Sequence, residues 1–234
     1  MTLKSILVLL VTLAFAVSPF LNPEFGGFDP DRYPNPQIDP PVQPAGYAFA
    51  IWGVIYIWLL LSAILGVSKY RDNPAWNATR LPLLVSLGVG MFWLPVALVS
   101  PVWATVMILV MLISAVMACD KARKASPGWA LALPLGLYAG WLTAATFVAF
   151  GLLGAGYGWV MAELGWAWTM VLLAAFCALS YQMTLRGVWT YGLAVAWGLI
   201  GIAVQNWGAQ TGLAVAAGVA ALLMLGLAAS QLRR

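Results

Sequence analysis

The chain lacks histidine and has very few charged residues. None of its 234 residues is His, and Asp, Glu, Lys and Arg together make up 8%. The lack of His removes the commonest general base, proton shuttle and metal ligand. Soluble domains carry about 25% charged residues, so this chain must expose most of its surface to lipid. We therefore expect an all-α, multi-pass integral membrane protein.

Cysteine and buried charge are also scarce. Cys119 and Cys177 lie in or beside apolar stretches, and two cysteines cannot form a zinc framework, so we predict neither a metal site nor a disulfide. No charged residue falls inside a predicted membrane span. Ion-coupled transporters usually keep such residues there, and so do those hydrolases and transferases that depend on a buried carboxylate pair. The sequence thus argues against ion-coupled transport and against an enzyme.

Long apolar runs dominate what is present. Hydrophobic residues make up 63% of the chain, and the mean hydropathy is +0.93. A helix needs about 20 apolar residues to cross a bilayer. By this measure we predict an eight-transmembrane-helix bundle with spans at 4–21, 44–68, 81–100, 102–119, 129–151, 164–185, 188–205 and 211–230. The first span has an alternative interpretation as a signal peptide cleaved after Ala16, which would leave seven spans.

The charges predict the orientation of these spans. If the N-terminus faces the cytoplasm, ten of the eleven basic residues fall on inner segments, and Arg32 is the exception. Five of the seven acids, namely Glu24, Asp29, Asp31, Asp39 and Glu163, fall on outer segments. This is the distribution that the positive-inside rule describes. We predict that both termini are cytoplasmic, that the protein lies in the inner (cytoplasmic) membrane, and that its net charge of +4 reflects topology rather than nucleic-acid binding.

Proline and glycine mark the connecting segments. Residues 22–43 contain Pro34, Pro36, Pro40 and Pro41 among others, which excludes a helix there. This outer loop is interpreted either as a linker or as a lid over the bundle. Residues 151–163 are expected to form a glycine-rich loop, and Pro95 is expected to kink the third span.

Small residues recur at four-residue spacing in two spans. Gly136, Gly140 and Ala144 share one face of the fifth span, and Gly212, Ala216 and Ala220 share one face of the eighth. Such stripes allow helices to approach closely in lipid. We expect them to mediate packing, within the chain or in a homodimer.

Aromatic residues are abundant, with 13 Trp, and several follow Pro44 at roughly helical spacing. Tyr47, Trp52 and Tyr56 are typical of anchors at the boundary between water and lipid. Facing inward, the same side chains would instead form the wall of a site for a flat apolar ligand. The sequence leaves both interpretations open.

Three passages in register resemble the TspO/MBR family of tryptophan-rich sensory or translocator proteins. The segment from Pro44 through Tyr47, Phe49, Trp52, Gly53 and Tyr56 is similar to the family's second-helix motif. Trp93-Leu-Pro95 resembles the third-helix W-S-P motif. Pro134, Tyr138, Trp141, Ala145 and Thr146 resemble the fifth helix. The likeness covers residues 1–151 and implies a five-helix core, with 152–234 as a three-helix extension.

The resemblance implies a site for tetrapyrroles, such as haem or protoporphyrin, or for sterol-like lipids, with no resident cofactor. Carried over by motif, the candidate ligand-binding residues are Tyr47, Phe49, Trp52, Tyr56, Trp93, Tyr138, Trp141, Ala145 and Thr146. This chain has Gly90 and Ala149 where the family usually has Asn, which makes the expected site more apolar.

The leading hypothesis is a membrane-embedded protein that binds or senses a planar hydrophobic ligand. The lipid bilayer and a hydrophobic small molecule are then its partners. One alternative is an uncoupled carrier or lipid-handling protein, because an apolar substrate needs no buried charge. Another is a structural helper of a second membrane protein, with the tryptophans serving only as anchors and packing.

Overall fold

The computed structural model describes residues 3–22 and 26–232, and the regular secondary structure of this part of the chain is entirely helical, without a strand. Glu24, Arg233 and Arg234, which entered the charge argument, lie outside the described residues. The α-helices of the described part are α1 (Leu3–Val17), α2 (Ile51–Ser68), α3 (Pro74–Gly90), α4 (Trp93–Ala97), α5 (Pro101–Ala122), α6 (Ala132–Gly156), α7 (Glu163–Thr184), α8 (Trp189–Gln205) and α9 (Thr211–Gln231). Short 3-10 helices extend α1 (Ser18–Leu21) and precede α2 (Gly46–Ala50). The all-α prediction is confirmed.

Six helical segments of the described chain are long and apolar enough to cross a membrane. They are Leu3–Leu21, Gly46–Ser68, Pro101–Ala122, Ala132–Gly156, Glu163–Thr184 and Thr211–Gln231. α8 is apolar but has only 17 residues, and α3 also has 17. The protein is therefore a multi-pass membrane protein, whereas the count of eight crossings and their orientation stay predictions.

α6 is the central helix of the bundle. It packs against α2 and α5 on one side and against α7 and α8 on the other, and 20 of its 25 residues are buried. α1 packs against α2 and α3, while α9 packs against α8 and α7. α6 therefore provides most of the contact between the last three helices and the rest of the described chain. The predicted division at residue 151 falls inside this helix, and the division into two units stays a prediction.

The small-residue stripe of α6 allows its close approach to α8. A Cβ atom at Gly140 would clash with the backbone oxygen of Tyr191 and would lie 3.0 Å from the Cβ of Ala194. A Cβ at Gly136 would likewise meet Val188 and Thr190. The prediction that this stripe mediates helix packing is confirmed, and its partner is α8.

The third predicted span, 81–100, is wrong in both its start and its continuity. α3 begins at Pro74, where the Asn73 side chain accepts hydrogen bonds from the amides of Ala75 and Trp76. Pro at the first helical position and Asn before it are favourable starting signals. The helix then breaks at residues 91–92, and Pro95 lies in the first turn of α4. Because proline cannot donate a backbone hydrogen bond, the helix breaks ahead of Pro95 rather than kinking through it.

Arg80 was expected in an inner connecting segment but lies within α3 and is 3% exposed. Its guanidinium donates to the carbonyl oxygens of Arg71 at 2.6 Å and Gly66 at 3.2 Å. These carbonyls belong to the end of α2 and the turn after it, where backbone acceptors lack helical partners. Arg80 thus joins the start of α3 to the end of α2.

The fifth predicted span, 129–151, is too short, because α6 continues to Gly156. The expected loop at 151–163 is reduced to residues 157–162. Gly154 and Gly156 are covered by the rings of Trp166 and Tyr33, and a Cβ at either position would clash with those rings. In membrane helices glycine commonly marks close packing rather than a helix end, which explains the error.

The proline-rich segment packs against the bundle. The Asn35 amide donates to the carbonyl of Gly156 at 2.9 Å, and Tyr33 and Val42 are buried against α6. Burial raises the pKa of the Tyr33 phenol above its ordinary value, and the nearby Tyr157 adds to this effect. Residues 26–43 therefore cover the end of the bundle at which α6 terminates.

Candidate ligand-binding site

Aromatic rings from three helices meet around Trp52. The Trp52 and Tyr56 rings of α2 stack with centroids 5.3 Å apart and an interplanar angle of 16°. Trp141 of α6 meets Trp52 edge-to-face at 6.2 Å. Phe15 of α1 meets Tyr56 at 5.1 Å and Trp52 at 5.9 Å. Such edge-to-face and stacked pairs fix ring orientation, so these side chains form an ordered wall.

The buried stripe of α1 explains how Phe15 reaches this wall. Ser5, Val8, Thr12 and Phe15 are the buried residues of α1, and they recur at three- and four-residue intervals. This spacing places them on one helical face, which packs against α2 and α3. Phe15 lies in the last turn of that face.

A large cavity of about 750 Å³ lies beside the aromatic wall. Its lining comes from α1, α2, α3, α4 and α5 and includes Phe15, Trp52, Tyr56, Gly90 and Trp93. Sites for small molecules usually have volumes of about 300–1,000 Å³ and are mostly apolar. The large cavity falls within this range.

A small cavity of about 50 Å³ lies next to it and is almost entirely apolar. Trp141, Ala145 and Ala149 of α6 form one wall, and Gly198 and Ile202 of α8 form another. Gly27, Phe28, Gln43 and Pro44 line it from the loop. Phe49, Trp93 and Ile108 line both cavities, so the two adjoin.

Trp93 is positioned by α5. Its indole Nε1–H donates to the Ala104 carbonyl at 2.9 Å, and Phe28 meets its ring edge-to-face at 6.1 Å. Phe28 in turn meets Tyr33 at 6.4 Å. The loop and the short helix α4 are thereby joined by aromatic contacts across the boundary of the two cavities.

The structure brings six of the nine candidate residues to the two cavities. Trp52 and Tyr56 line the large one, Trp141 and Ala145 the small one, and Phe49 and Trp93 line both. The tryptophans of α2, α4 and α6 therefore face the two adjoining cavities, although Trp52 lines the large cavity and Trp141 the small one.

The other three candidates are outside the cavity linings in the described structure. Tyr138 is fully buried beneath Trp52, and its hydroxyl is 2.9 Å from the Ser86 hydroxyl. Tyr47 is 43% exposed and packs edge-to-face on Trp197. Thr146 is buried, and its hydroxyl has no hydrogen-bond partner. A role for these three in contacting ligand stays a prediction.

The site carries no charge, and its lining is mostly apolar. Every residue lining the two cavities is uncharged. Two buried polar groups in the linings have no partner, namely the Trp141 Nε1–H in the small cavity and the Ser18 hydroxyl in the large one. An unpaired buried polar group costs about 1–3 kcal/mol. The lining therefore suits an apolar guest that offers at most a few hydrogen-bonding atoms.

Several lining residues were missed by sequence reasoning. Phe15 and Phe28 lie outside the three motifs, and Gly198 and Ile202 lie in the region expected to be an extension. The only available signal was Trp197, because Trp197-Gly-Leu-Ile200 is similar to Trp52-Gly-Val-Ile55. The spacing of apolar residues along the sequence cannot show that α8 reaches the site, because the position of α8 follows only from its packing on α6.

The fold and the site define a multi-pass helical membrane protein with an aromatic-walled internal cavity. The model of the family described as TSPO-like protein matches residues 1–230. The chain therefore belongs to the TSPO-like protein family, as its three motifs indicate. The match also includes the last three helices, beyond the residue 151 at which the motif resemblance stopped. No curated protein and no solved structure matches the chain.

Proposed function

We propose that this protein binds a planar hydrophobic ligand in the two adjoining cavities and serves as its membrane sensor. The ligand class is a tetrapyrrole or a sterol-like lipid. The observation that carries the proposal is the shared lining: Phe49 and Trp93 border both cavities, between Trp52 on one side and Trp141 on the other. Aromatic pairs gain about 0.5–1.5 kcal/mol beyond the burial of area, so ring ligands are favoured guests of such a wall.

Membrane location is part of the same proposal. The protein resides in the bacterial inner membrane, with residues 22–43 on the outer side. The distribution of basic residues supports this orientation. The ligand then reaches the site from the outer leaflet or from the loop above it.

The test is a titration of purified protein with protoporphyrin IX, followed by quenching of tryptophan fluorescence. Trp52→Ala and Trp141→Ala should each raise the dissociation constant, by about 2- to 12-fold from the lost ring contact alone. Trp129→Ala is the matched control, because Trp129 is 51% exposed and lines neither cavity. Equal dissociation constants in the wild type and both cavity variants would reject the site.

A second candidate function is uncoupled carriage of an apolar substrate. It is favoured by one observation, the absence of charge from the lining residues of both cavities. Passage of a neutral substrate then requires no ion coupling. Flux of a porphyrin between the two sides of reconstituted vesicles would separate a carrier from a sensor, which binds without transfer.

A further inference from the structure

The start of α2 is held by a helix outside the five-helix core. Residues 41–48, here called the roof segment, run from the proline-rich loop to the 3-10 helix before α2. They contribute Gln43 and Pro44 to the small cavity. α8 lies alongside and contributes Gly198 and Ile202 to another part of the lining. The roof segment and α8 therefore meet at the border of the small cavity.

Three hydrogen bonds join these two elements. The Trp197 Nε1–H donates to the Ala48 carbonyl at 2.8 Å. The Asn206 Nδ2–H donates to the Pro41 carbonyl at 2.8 Å. The Ala45 amide donates to the Gly201 carbonyl at 3.0 Å. Trp197 and Gly201 lie one turn apart on α8, and Asn206 caps the C-terminal end of this helix. One bond lies near each end of the roof segment and one lies between them.

The roof segment needs these partners because of its composition. Pro41 and Pro44 have no backbone N–H, so the part of the segment before the 3-10 helix at Gly46 cannot form a regular hydrogen-bonded structure of its own. Its buried carbonyls require outside donors. α8 supplies two of them from side chains, and one of these side chains, Trp197, also packs edge-to-face on Tyr47 at 5.5 Å.

Gly201 permits the close approach. A Cβ at this position would lie 2.8 Å from the Cβ of Pro44 and 3.0 Å from the Cβ of Ala48. Both of those atoms are fixed to the backbone of the roof segment, so they cannot move away without moving the segment. Any larger residue at 201 would therefore push the segment off α8.

We propose that α8 clamps the roof segment over the small cavity, with Trp197 and Asn206 as positioning residues, and that opening of this clamp controls access to the site. The proposal gives the C-terminal helices a role in the binding site of the proposed function. It concerns access to the cavity, so it can be tested whether or not the ligand is a tetrapyrrole.

The experiment measures access with a reporter thiol. Ala145 is half-buried and lines the small cavity, so Ala145→Cys is introduced into a background in which Cys119 and Cys177 are replaced by Ala. The rate of modification by N-ethylmaleimide is followed by intact-protein mass. Trp197→Phe removes one donor and keeps a ring, Asn206→Leu removes the other donor, and Gly201→Ala inserts one methyl group between α8 and the roof segment.

Each α8 variant should label faster than the reporter background, by about 2- to 12-fold for one net hydrogen bond. Gly218→Ala in α9 is the matched control for Gly201→Ala, because nothing lies within 4 Å of a Cβ there. Helical circular dichroism identifies any variant that fails to fold. An increase in at least two folded α8 variants, without one in the control, supports the clamp. An increase in fewer than two of the folded α8 variants, or an equal increase in the Gly218→Ala control, overturns the clamp proposal.

The rate of protoporphyrin release is a second measurement of access, independent of thiol labelling. If the parent protein binds protoporphyrin IX, the same α8 variants should release it faster by a similar factor. If the parent does not bind it, the tetrapyrrole assignment fails while thiol labelling still decides the clamp.

Discussion

Phe15 occupies the space into which a side chain at position 90 would project. A Cβ built on Gly90 would lie 2.7 Å from Cε2 and 2.9 Å from Cδ2 of Phe15. The Cε of Met111 would lie 3.0 Å from it. Gly90 stands where the TspO/MBR motif usually has Asn, so in this chain a phenyl ring from α1 replaces an amide from α3 beside the large cavity.

The first prediction follows from this contact. Gly90→Asn should destabilise the protein by about 1–3 kcal/mol, the usual cost of overpacking, because Phe15 must leave its position against Trp52 and Tyr56. The measurement is thermal unfolding in detergent micelles. Gly88→Asn on the same helix is the control, since nothing lies within 4 Å of a Cβ at that position.

A double variant tests whether Phe15 is the cause. Phe15→Ala should make room for the amide, so Gly90→Asn should cost less in the Phe15→Ala background than in the wild type. Additive changes in unfolding free energy would contradict the explanation.

The sequence predicted the helices better than it predicted what they surround. Long apolar runs place α5, α7, α8 and α9 to within about three residues, and also α2 when it is taken together with the 3-10 helix that begins at Gly46, because a crossing helix must satisfy its backbone internally. The same uniformity hides the inward face of α6, which is apolar on nearly all sides. In α1 the inward face carries Ser5 and Thr12 together with Phe15, but two hydroxyl groups in an apolar helix do not by themselves indicate a cavity wall, so Phe15 was missed.

Glycine was misread for a related reason. Gly151, Gly154 and Gly156 suggest a loop in a soluble chain, but here they accept the side chains of Val42, Trp166 and Tyr33. The role of α8 in the site could not be predicted either. It depends on contacts such as Asn206 with Pro41, which are 165 residues apart in the sequence.

The second prediction concerns the hydrogen bond beneath the aromatic wall. Ser86 donates to the Met111 carbonyl at 2.8 Å, and its oxygen therefore accepts from the Tyr138 hydroxyl at 2.9 Å. Ser86→Ala leaves the fully buried Tyr138 hydroxyl unpaired, whereas Tyr138→Phe leaves the bond from Ser86 to Met111 intact. Ser86→Ala should therefore be the more destabilising; bonds of this kind in membrane proteins contribute on average about 0.6 kcal/mol and at most about 1.7 kcal/mol. The measurement is thermal unfolding of both variants. If Ser86→Ala were the less destabilising of the two, the Tyr138 hydroxyl would have another partner in that variant and the explanation would be wrong.

The third prediction concerns the contact between α6 and α8. Gly140→Ala should be strongly destabilising, by about 2 kcal/mol or more, because its Cβ would clash with the backbone oxygen of Tyr191. Gly226→Ala in α9 is the matched control, with no atom within 4 Å of the new Cβ, and it should be neutral or stabilising. Chemical unfolding followed by circular dichroism compares the two. Equal effects would mean that α6 and α8 do not pack this closely.

The fourth prediction concerns Tyr33, whose hydroxyl is buried without a partner. Tyr33→Phe removes a group that costs free energy in the folded state, so it should raise the unfolding temperature by an amount equivalent to about 1 kcal/mol. Burial raises the folded-state pKa of this phenol, so only the unfolded state ionises as the pH rises past about 10. The wild type should therefore lose stability above that pH, and Tyr33→Phe should lose less. Equal slopes of stability against pH would contradict this reading.

The fifth prediction tests the orientation in the membrane. In the background lacking Cys119 and Cys177, Ile38→Cys and Lys124→Cys introduce thiols at two exposed positions, in the proline-rich loop and after α5. The charge distribution places the first outside and the second in the cytoplasm. A membrane-impermeant maleimide added to intact spheroplasts should therefore label Ile38→Cys, and it should label Lys124→Cys only after the membrane is permeabilised.

A cysteine at Trp207 adds a third point, because α8 must cross the membrane completely for residue 207 to lie on the same side as residue 38. In the eight-crossing arrangement an even number of crossings separates residue 207 from the proline-rich loop, which its neighbour Asn206 contacts. Labelling of Trp207→Cys only after permeabilisation would mean an odd number and would exclude this arrangement.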